Sequence, residues 1–398
     1  MRERRALSRL GSFVTILALV AVVIGIVGTV VILAPNPPAS PGPARPTHVA
    51  VVDATGALGL LFHPGVILGA ASNSSVTLLA GIGRYDRTTG LELPVLGEYV
   101  DTPNGPRTTN LTATFDPQFE EGGVYGAVWN GSAWMLGGQA TLGGTEGGAA
   151  VALSGGRITN LTPELRPYFD GGGIFAVGWN RSGWLLGGNA SWGVSLVRLE
   201  GSLVTNLSSQ ITSHARWGWV QLLAWNGSGW LVGGQGVFGT LTGSRFVDLD
   251  PGSPFEGQGV FAAGWDGTQW LVGGGGSAVV VVRSSAVVQD IALPSGFSKW
   301  VSYLAYVPQW GWLLAGRGVA PGGGTAPELA AWPGTASSSV ESLDALLPGS
   351  FSGGEVQGGT ALPGSGSGGG ARLLLVGDGS YNDRTGYGTG ALAEVTIS

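Results

Sequence analysis

From residue 124 onward the chain alternates between apolar runs and a polar break that hardly changes from copy to copy. One run ends on Trp129, Trp179, Trp225 or Trp265, and a four-residue turn such as Asn130-Gly131-Ser132-Ala133 or Asp266-Gly267-Thr268-Gln269 follows. A second run then opens on Trp134, Trp184, Trp230 or Trp270 and closes on a Gly pair. Short apolar runs joined by Asn-Gly type turns predict antiparallel hairpins, with first strands at residues 124–129, 174–179 and 220–225. Third and fourth strands follow at residues 195–199 and 203–207, and at 279–283 and 287–291. Four strands per repeat, recurring every 40 to 50 residues or so, is the pattern of propeller blades.

The pattern extends in weaker form to both ends. Residues 73–81 match residues 130–138 position for position without the tryptophans and predict a diverged first repeat; residues 306–316 predict a sixth. The seventh, at residues 358–363, 372–377 and 390–397, runs out of chain after three strands. The segment from His48 to Asp53 has the fourth-strand pattern of residues 245–249, so it is expected to complete the last blade and close the ring, which removes two exposed sheet edges. The expected fold is all-β: a seven-bladed propeller of four-stranded blades over residues 48–398, closed by an N-terminal strand.

On the Gly pairs that end residues 134–138, 184–188, 230–234 and 270–274, the chain resembles kelch-type propeller repeats over most of residues 68–398. The Tyr and Trp that follow the Gly pair in kelch repeats are missing here. The turn from Trp265 to Trp270 also resembles the Asp-box turns of sialidase-type propellers. Both resemblances imply fold; neither supplies an active-site residue that can be placed on this chain.

Composition fits strands and turns: 74 Gly and 15 Trp in 398 residues, with only 11% charged residues. The absence of Cys removes disulfides, thiolate metal sites and a Cys nucleophile. A net charge of −6 points to no polyanion partner, and no nucleic acid is expected. The amino terminus adds a second element. Arg2, Arg4, Arg5 and Arg9 precede an apolar stretch over residues 10–34, and no basic residue follows until Arg45. About 24 apolar residues span a hydrocarbon core, so one transmembrane helix is predicted, with residues 1–9 in the cytoplasm. The Pro-rich residues 35–47 then read as a stiff linker that holds an extracytoplasmic domain off the cell membrane.

Candidate binding residues come from the connections that should share one face of the propeller. Phe119-Glu120, Phe169-Asp170 and Phe255-Glu256 each place an aromatic and an acid before a first strand; Phe351 repeats the aromatic alone. The connections before the fourth and sixth blades carry His214, Arg216 and Trp217, and Lys299 and Trp300. The connections after the Gly pairs add Arg84, Tyr85, Asp86, Arg87, Arg317, Asp378, Asp383 and Arg384. Acids, arginines and aromatics around a channel mouth suit a ligand; the competing reading makes the phenylalanines packing plugs and the acids a solvated rim. The paired tryptophans read as inter-blade packing, and Trp192, Trp217, Trp219, Trp300, Trp310 and Trp332 lie outside that register. Residues 378–383 offer oxygen donors at alternating positions, as a calcium loop would, but lack the downstream Glu and read first as a turn. His48, His63 and His214 have no ligand spacing, so no metal or cofactor is expected. Asn73, Asn110, Asn130, Asn160, Asn180, Asn189, Asn206 and Asn226 stand in Asn-x-Ser/Thr sequons, which are N-glycosylation candidates and also good turn sequences.

The functional expectation is a single-pass surface protein whose propeller binds a glycan, a surface polymer or a protein partner. The alternatives are a polysaccharide hydrolase or lyase using Glu120, Asp170 and Glu256, and a scaffold subunit of a membrane complex.

Overall fold

The computed structural model describes residues 48–398 except 87–90, 116–117, 120–121, 213–217, 321, 336–337, 364–369 and 383–386. Residues 1–47, with the anchor and linker expected there, lie outside the described residues. The described chain forms seven four-stranded antiparallel sheets. Blade 1 holds Val66–Ser72, Thr77–Asp86, Leu91–Val100 and Arg107–Asn110, and blade 2 holds Gly123–Trp129, Trp134–Leu142, Thr145–Ser154 and Arg157–Asn160. Blade 3 follows with Ile174–Trp179, Trp184–Ala190, Gly193–Glu200 and Leu203–Asn206, and blade 4 with Trp219–Trp225, Trp230–Gln235, Val237–Thr242 and Arg245–Asp248. Blade 5 is Val260–Trp265, Trp270–Gly274, Val279–Arg283 and Ala286–Asp290; blade 6 is Trp300–Val307, Gly311–Val319, Thr325–Trp332 and the short Glu341–Ser342. Blade 7 takes Glu355–Ala361, Ala371–Asn382 and Tyr387–Ile397, and its fourth strand is the N-terminal Val49–Asp53.

The first strands neighbour one another all the way round, so they line a central axis. Ring closure is as the sequence predicts, with Val49 opposite Ile397 and Asp53 opposite Ala393. A local motif marks the N-terminal strand as a fourth strand. In blades 1, 2 and 3 the Oδ1 of Asn110, Asn160 and Asn206 accepts the N–H two residues on, and the hydroxyl of Thr112, Thr162 or Ser208 meets the third-strand backbone at Leu96, Ala150 or Leu196. Asp53 and Thr55 repeat this clasp on Leu392 of blade 7. The seam is tied from the side as well: Arg372 of blade 7 reaches Asp101 at 2.7 Å and Glu394 at 2.8 Å, and the buried Tyr99 of blade 1 donates its hydroxyl to Glu394.

The Gly pair has two separate physical causes. Every first strand carries a β-bulge near its start, between Val124 and Gly126 in blade 2 and at the equivalent place in the other six. The bulge pushes a first-strand carbonyl onto the second glycine of the pair. A Cβ at Gly138, Gly188, Gly234 or Gly274 would overlap the carbonyl oxygen of Gly123, Gly173, Trp219 or Gly259. The first glycine serves the next blade: Gly137, Gly187, Gly233 and Gly273 receive the β-branched side chains of Ile174, Val220, Val260 and Val301. The tryptophan pairs stack across each hairpin, with ring centroids 4.6 to 5.2 Å apart. Trp134, Trp184, Trp230 and Trp270 are buried, and Trp230 lies over Gly178 of the preceding blade, as the packing reading expects.

Candidate functional site

The bulges also build the channel mouth. Each presents one extra residue at the same level: Leu68, Tyr125, Phe175, Gln221, Phe261, Ser302 and Gln357 for blades 1 to 7. Two residues earlier stand Val66, Gly123, Gly173, Trp219, Gly259, Trp300 and Glu355. The two sets compensate in volume. The rings of Tyr125, Phe175 and Phe261 lie over Gly123, Gly173 and Gly259 of their own blades. Tyr125 and Phe175 meet at 5.2 Å and join Leu68, Val66, Ile82 and Trp219 in one apolar cluster that bridges four blades. Blades 6 and 7 depart from this plan: Ser302 and Gln357 are small or polar, and Trp300 and Glu355 take the place of glycine.

A third set comes from the second strands, one residue past the Gly pair: Gln139, Asn189, Gln235, Arg317 and Asp378, with Ile82 and Gly275 in blades 1 and 5. Gln139 accepts from the Tyr125 hydroxyl at 3.1 Å and donates to Glu146. Asn189 Oδ1 accepts from the Gly173 N–H at 3.0 Å.

On blades 6 and 7 this set is charged. The Arg317 guanidinium stacks on Trp300 at 4.5 Å, donates from Nη2 to Thr325 Oγ1 at 2.8 Å, and pairs through Nη1 with Glu355 Oε2 at 3.3 Å. Gln357 Nε2 donates to the other oxygen of Glu355. Asp378 lies directly across the ladder from Glu355, and the two residues are 5% and 3% exposed. Burial, and for Glu355 the neighbouring Asp378, lift both carboxyls well above the usual carboxylate range; Arg317 opposes this only in part. Asp378 Oδ1, Arg317 Nε and Trp300 Nε1 are buried with no hydrogen-bond partner. Buried polar atoms are normally paired, so these three call for an explanation.

The two kinds of connection do share this face, as expected. Asp170 bridges to Gly147 and its carbonyl accepts from Ser191 N–H at 2.7 Å, while Lys299 N–H donates to the Arg317 carbonyl at 3.3 Å. Of the residues singled out from sequence, the structure brings together Trp300, Arg317 and Asp378. Phe119, Phe169 and Phe255 have fully buried rings that plug the gaps beside Gly138, Gly148 and Gly274, which matches the packing alternative. Phe351 is buried in the same way, and Phe62 is an unforeseen fifth plug. Asp170 and Glu256 are exposed on separate connections, and Glu256 accepts the Gly252 N–H of its own turn at 3.0 Å. Lys299 is exposed. Glu120, Arg216, Trp217 and Arg384 lie outside the described residues, and Arg84 and Asp86 are placed only as backbone in the second strand of blade 1.

Glu355 and Gln357 were missed. The signal was there: Glu355-Val356-Gln357 occupies the register of Gly259-Val260-Phe261. The sequons also have structural work, since Asn73, Asn130, Asn180 and Asn226 each accept two turn N–H groups, and Asp266 does the same. Among the described residues no group of three or more His, Asp or Glu side chains could hold a metal ion, and no helix is long and apolar enough to cross a membrane.

No known protein family matches the chain, and no curated protein matches it in sequence. In three dimensions it is similar to the WD40 β-propeller domain of Doa1, with a TM-score of 0.54 at 10% identity over 84% of this chain and 93% of that one. A glycosyl hydrolase from Bacteroides ovatus gives a TM-score of 0.33 at 8% identity, covering 83% of each chain. A Trypanosoma rangeli sialidase gives 0.30 at 10% identity over 83% of this chain and 44% of that one. At these identities the first likeness shows the propeller fold, and the other two carry no functional argument.

Proposed function

We propose that this protein is a membrane-anchored, extracytoplasmic propeller that binds a glycan through the polar side of its channel mouth. The observation that carries the reading is the break in blades 6 and 7. There the aromatic plug of blades 2, 3 and 5 gives way to Glu355, Gln357, Arg317 and Asp378 beside the indole of Trp300. Planar donors and acceptors next to an indole face are what a sugar's hydroxyls and C–H surface ask for. Half-exposed Gln139, Asn189 and Gln235 continue the polar rim over blades 2 to 4. The anchor rests on the basic residues before the apolar residues 10–34 and on the Pro-rich spacer, which place the mouth outside the membrane with the N-terminus in the cytoplasm.

The test is the melting temperature of the full chain, in detergent, across a panel of cell-surface oligosaccharides. A ligand at a hundred times its dissociation constant adds about 2.7 kcal/mol of stability, and Arg317→Ala should erase the shift. A panel without any shift would overturn the glycan reading and favour a protein partner, as in the scaffold alternative.

A second reading, an enzyme acting on extracellular polysaccharide, draws on the same place. Glu355 and Asp378 stand as a pair of acids on the mouth, whereas the described Asp170 and Glu256 lie on separate connections. Polysaccharide cleavage that survives Glu355→Gln would eliminate it.

A further inference from the structure

We propose that the pocket at Asp378 takes a primary ammonium group, so that the glycan bound at this mouth is an amino sugar with a free amine; the inference rests on the glycan reading and narrows it. Asp378 Oδ1 is an orphan acceptor on a side chain that is 95% shielded, since Asp378 is 5% exposed. Among the described residues no second cation stands beside it. Two carboxylates face each other across one ladder rung, and Arg317, the guanidinium beside them among the described residues, is already committed to Glu355, Thr325 and the Trp300 face. Both oxygens of Glu355 hold protein donors, from Arg317 and Gln357. Among the described residues the ionised pair is therefore one positive charge short of balance, and Asp378 Oδ1 is the acceptor left for it.

The shape restricts what can supply it. Gly388 forms the adjacent wall, and a Cβ there would run into Asp378 Oδ2. The Oδ2 side of Asp378 is thus closed by backbone, and Oδ1 is the oxygen left for a compact, directional donor. An ammonium offers three N–H donors and a full charge. Calcium is a poorer fit, because it takes six to eight oxygens and no group of three or more His, Asp or Glu side chains gathers here among the described residues. A neutral hydroxyl would satisfy Oδ1 but leave two carboxylates against one guanidinium. Burial raises the proton affinity of both acids, and Asp378 raises that of Glu355 further; an opposite charge nearby would favour their ionised forms.

The experiment is calorimetric titration of the full chain in detergent with three probes: the glucosamine hexamer, its fully N-acetylated counterpart, and ethanolamine. The two hexamers differ in the free amine and share the sugar frame. The inference expects the free-amine hexamer to bind at least about tenfold more tightly than the acetylated one, a preference set by a charge-assisted hydrogen bond. Asp378→Asn, with an unchanged melting profile, should bring the two affinities together; if that variant does not fold, Gly388→Ala serves the same purpose. Equal binding of both hexamers to the native chain overturns the ammonium inference and leaves the glycan reading standing. Ethanolamine binding that is lost in Asp378→Asn, with neither hexamer bound, upholds the ammonium pocket and overturns the glycan reading. Silence from all three probes overturns both.

Discussion

Blades 2 and 3 and blades 6 and 7 share one backbone plan and put it to opposite use. In both halves a bulge lifts one first-strand residue toward the axis, and a second-strand glycine (Gly138, Gly188, Gly316 or Gly377) makes room for the displaced first-strand carbonyl. In blades 2 and 3 the lifted residues are Tyr125 and Phe175, each lying over a glycine, and the mouth is shut by apolar contact. In blades 6 and 7 they are Ser302 and Gln357, the glycines are replaced by Trp300 and Glu355, and charge stands where the plug would be. The scaffold is fixed by backbone overlap, so specificity can vary at a few lifted positions without disturbing the fold.

The largest expected effect tests what the halves share. Gly138→Ala in blade 2 and Gly377→Ala in blade 7 each force a Cβ onto a first-strand carbonyl, and each should cost about 3 kcal/mol, the upper end for overpacking. Equal losses by chemical denaturation confirm a common bulge; a harmless substitution in either blade breaks the comparison.

The next effect separates the halves. Arg317→Ala leaves Glu355 buried beside Asp378 without its cation and should cost about 2 kcal/mol at neutral pH, below the figure for a fully buried pair because Arg317 is partly exposed. The corresponding Gln139→Ala in blade 2 removes rim hydrogen bonds to Tyr125 and to the exposed Glu146, breaks no ion pair, and should cost about 1 kcal/mol.

A pH series sharpens the same contrast. The raised proton affinities of Glu355 and Asp378 mean that the native state keeps protons which the unfolded chain has released. Their contribution to stability is then fully present below the ordinary carboxylate pKa of about 4 and is lost as pH rises through their higher native values. The melting temperature should therefore fall from pH 5.5 to pH 8, and Glu355→Gln should flatten that slope. A slope unchanged by Glu355→Gln would place the titration elsewhere.

The smallest effect concerns the outer rim. Thr162→Val removes the hydroxyl that bridges to Ala150 and should cost about 1 kcal/mol, whereas Asn160→Asp keeps the accepting oxygen and should cost little. Equal losses would show that the Asn-Leu-Thr element acts by something other than this clasp.

Much of the fold was legible because blades 2 to 5 repeat short apolar runs broken by Asn-Gly-Ser type turns, and the other blades keep a weaker form of the same spacing. Ring closure was legible because residues 48–53 read as a fourth strand, and Asp53-Ala54-Thr55 repeats Asn160-Leu161-Thr162. Strand ends shifted by a few residues; the last blade's strands run to Asn382 and start again at Tyr387, well beyond the segments expected from hydrophobicity. The mouth was harder to read. Phenylalanines beside acids look like a binding rim, yet Phe119, Phe169 and Phe255 fill space between blades. Glu355 was overlooked because a single acid in a weak repeat carries no periodic signal until the bulge aligns it with Gly123, Gly173 and Gly259. Arg317 and Trp300 were found because charge and indole stand out in an otherwise apolar, Gly-rich chain.

The most direct test of the account gives blade 7 the mouth of blade 5. The double variant Glu355→Gly with Gln357→Phe recreates the Gly-Val-Phe sequence of residues 259–261 and should still fold, since it removes one of two neighbouring buried carboxylates and leaves Arg317 to face Asp378. Titrated in full-length form against the oligosaccharide that most stabilises the native protein, it should show no binding. Undiminished binding by this folded variant would contradict the claim that the ligand enters at the polar side of the mouth.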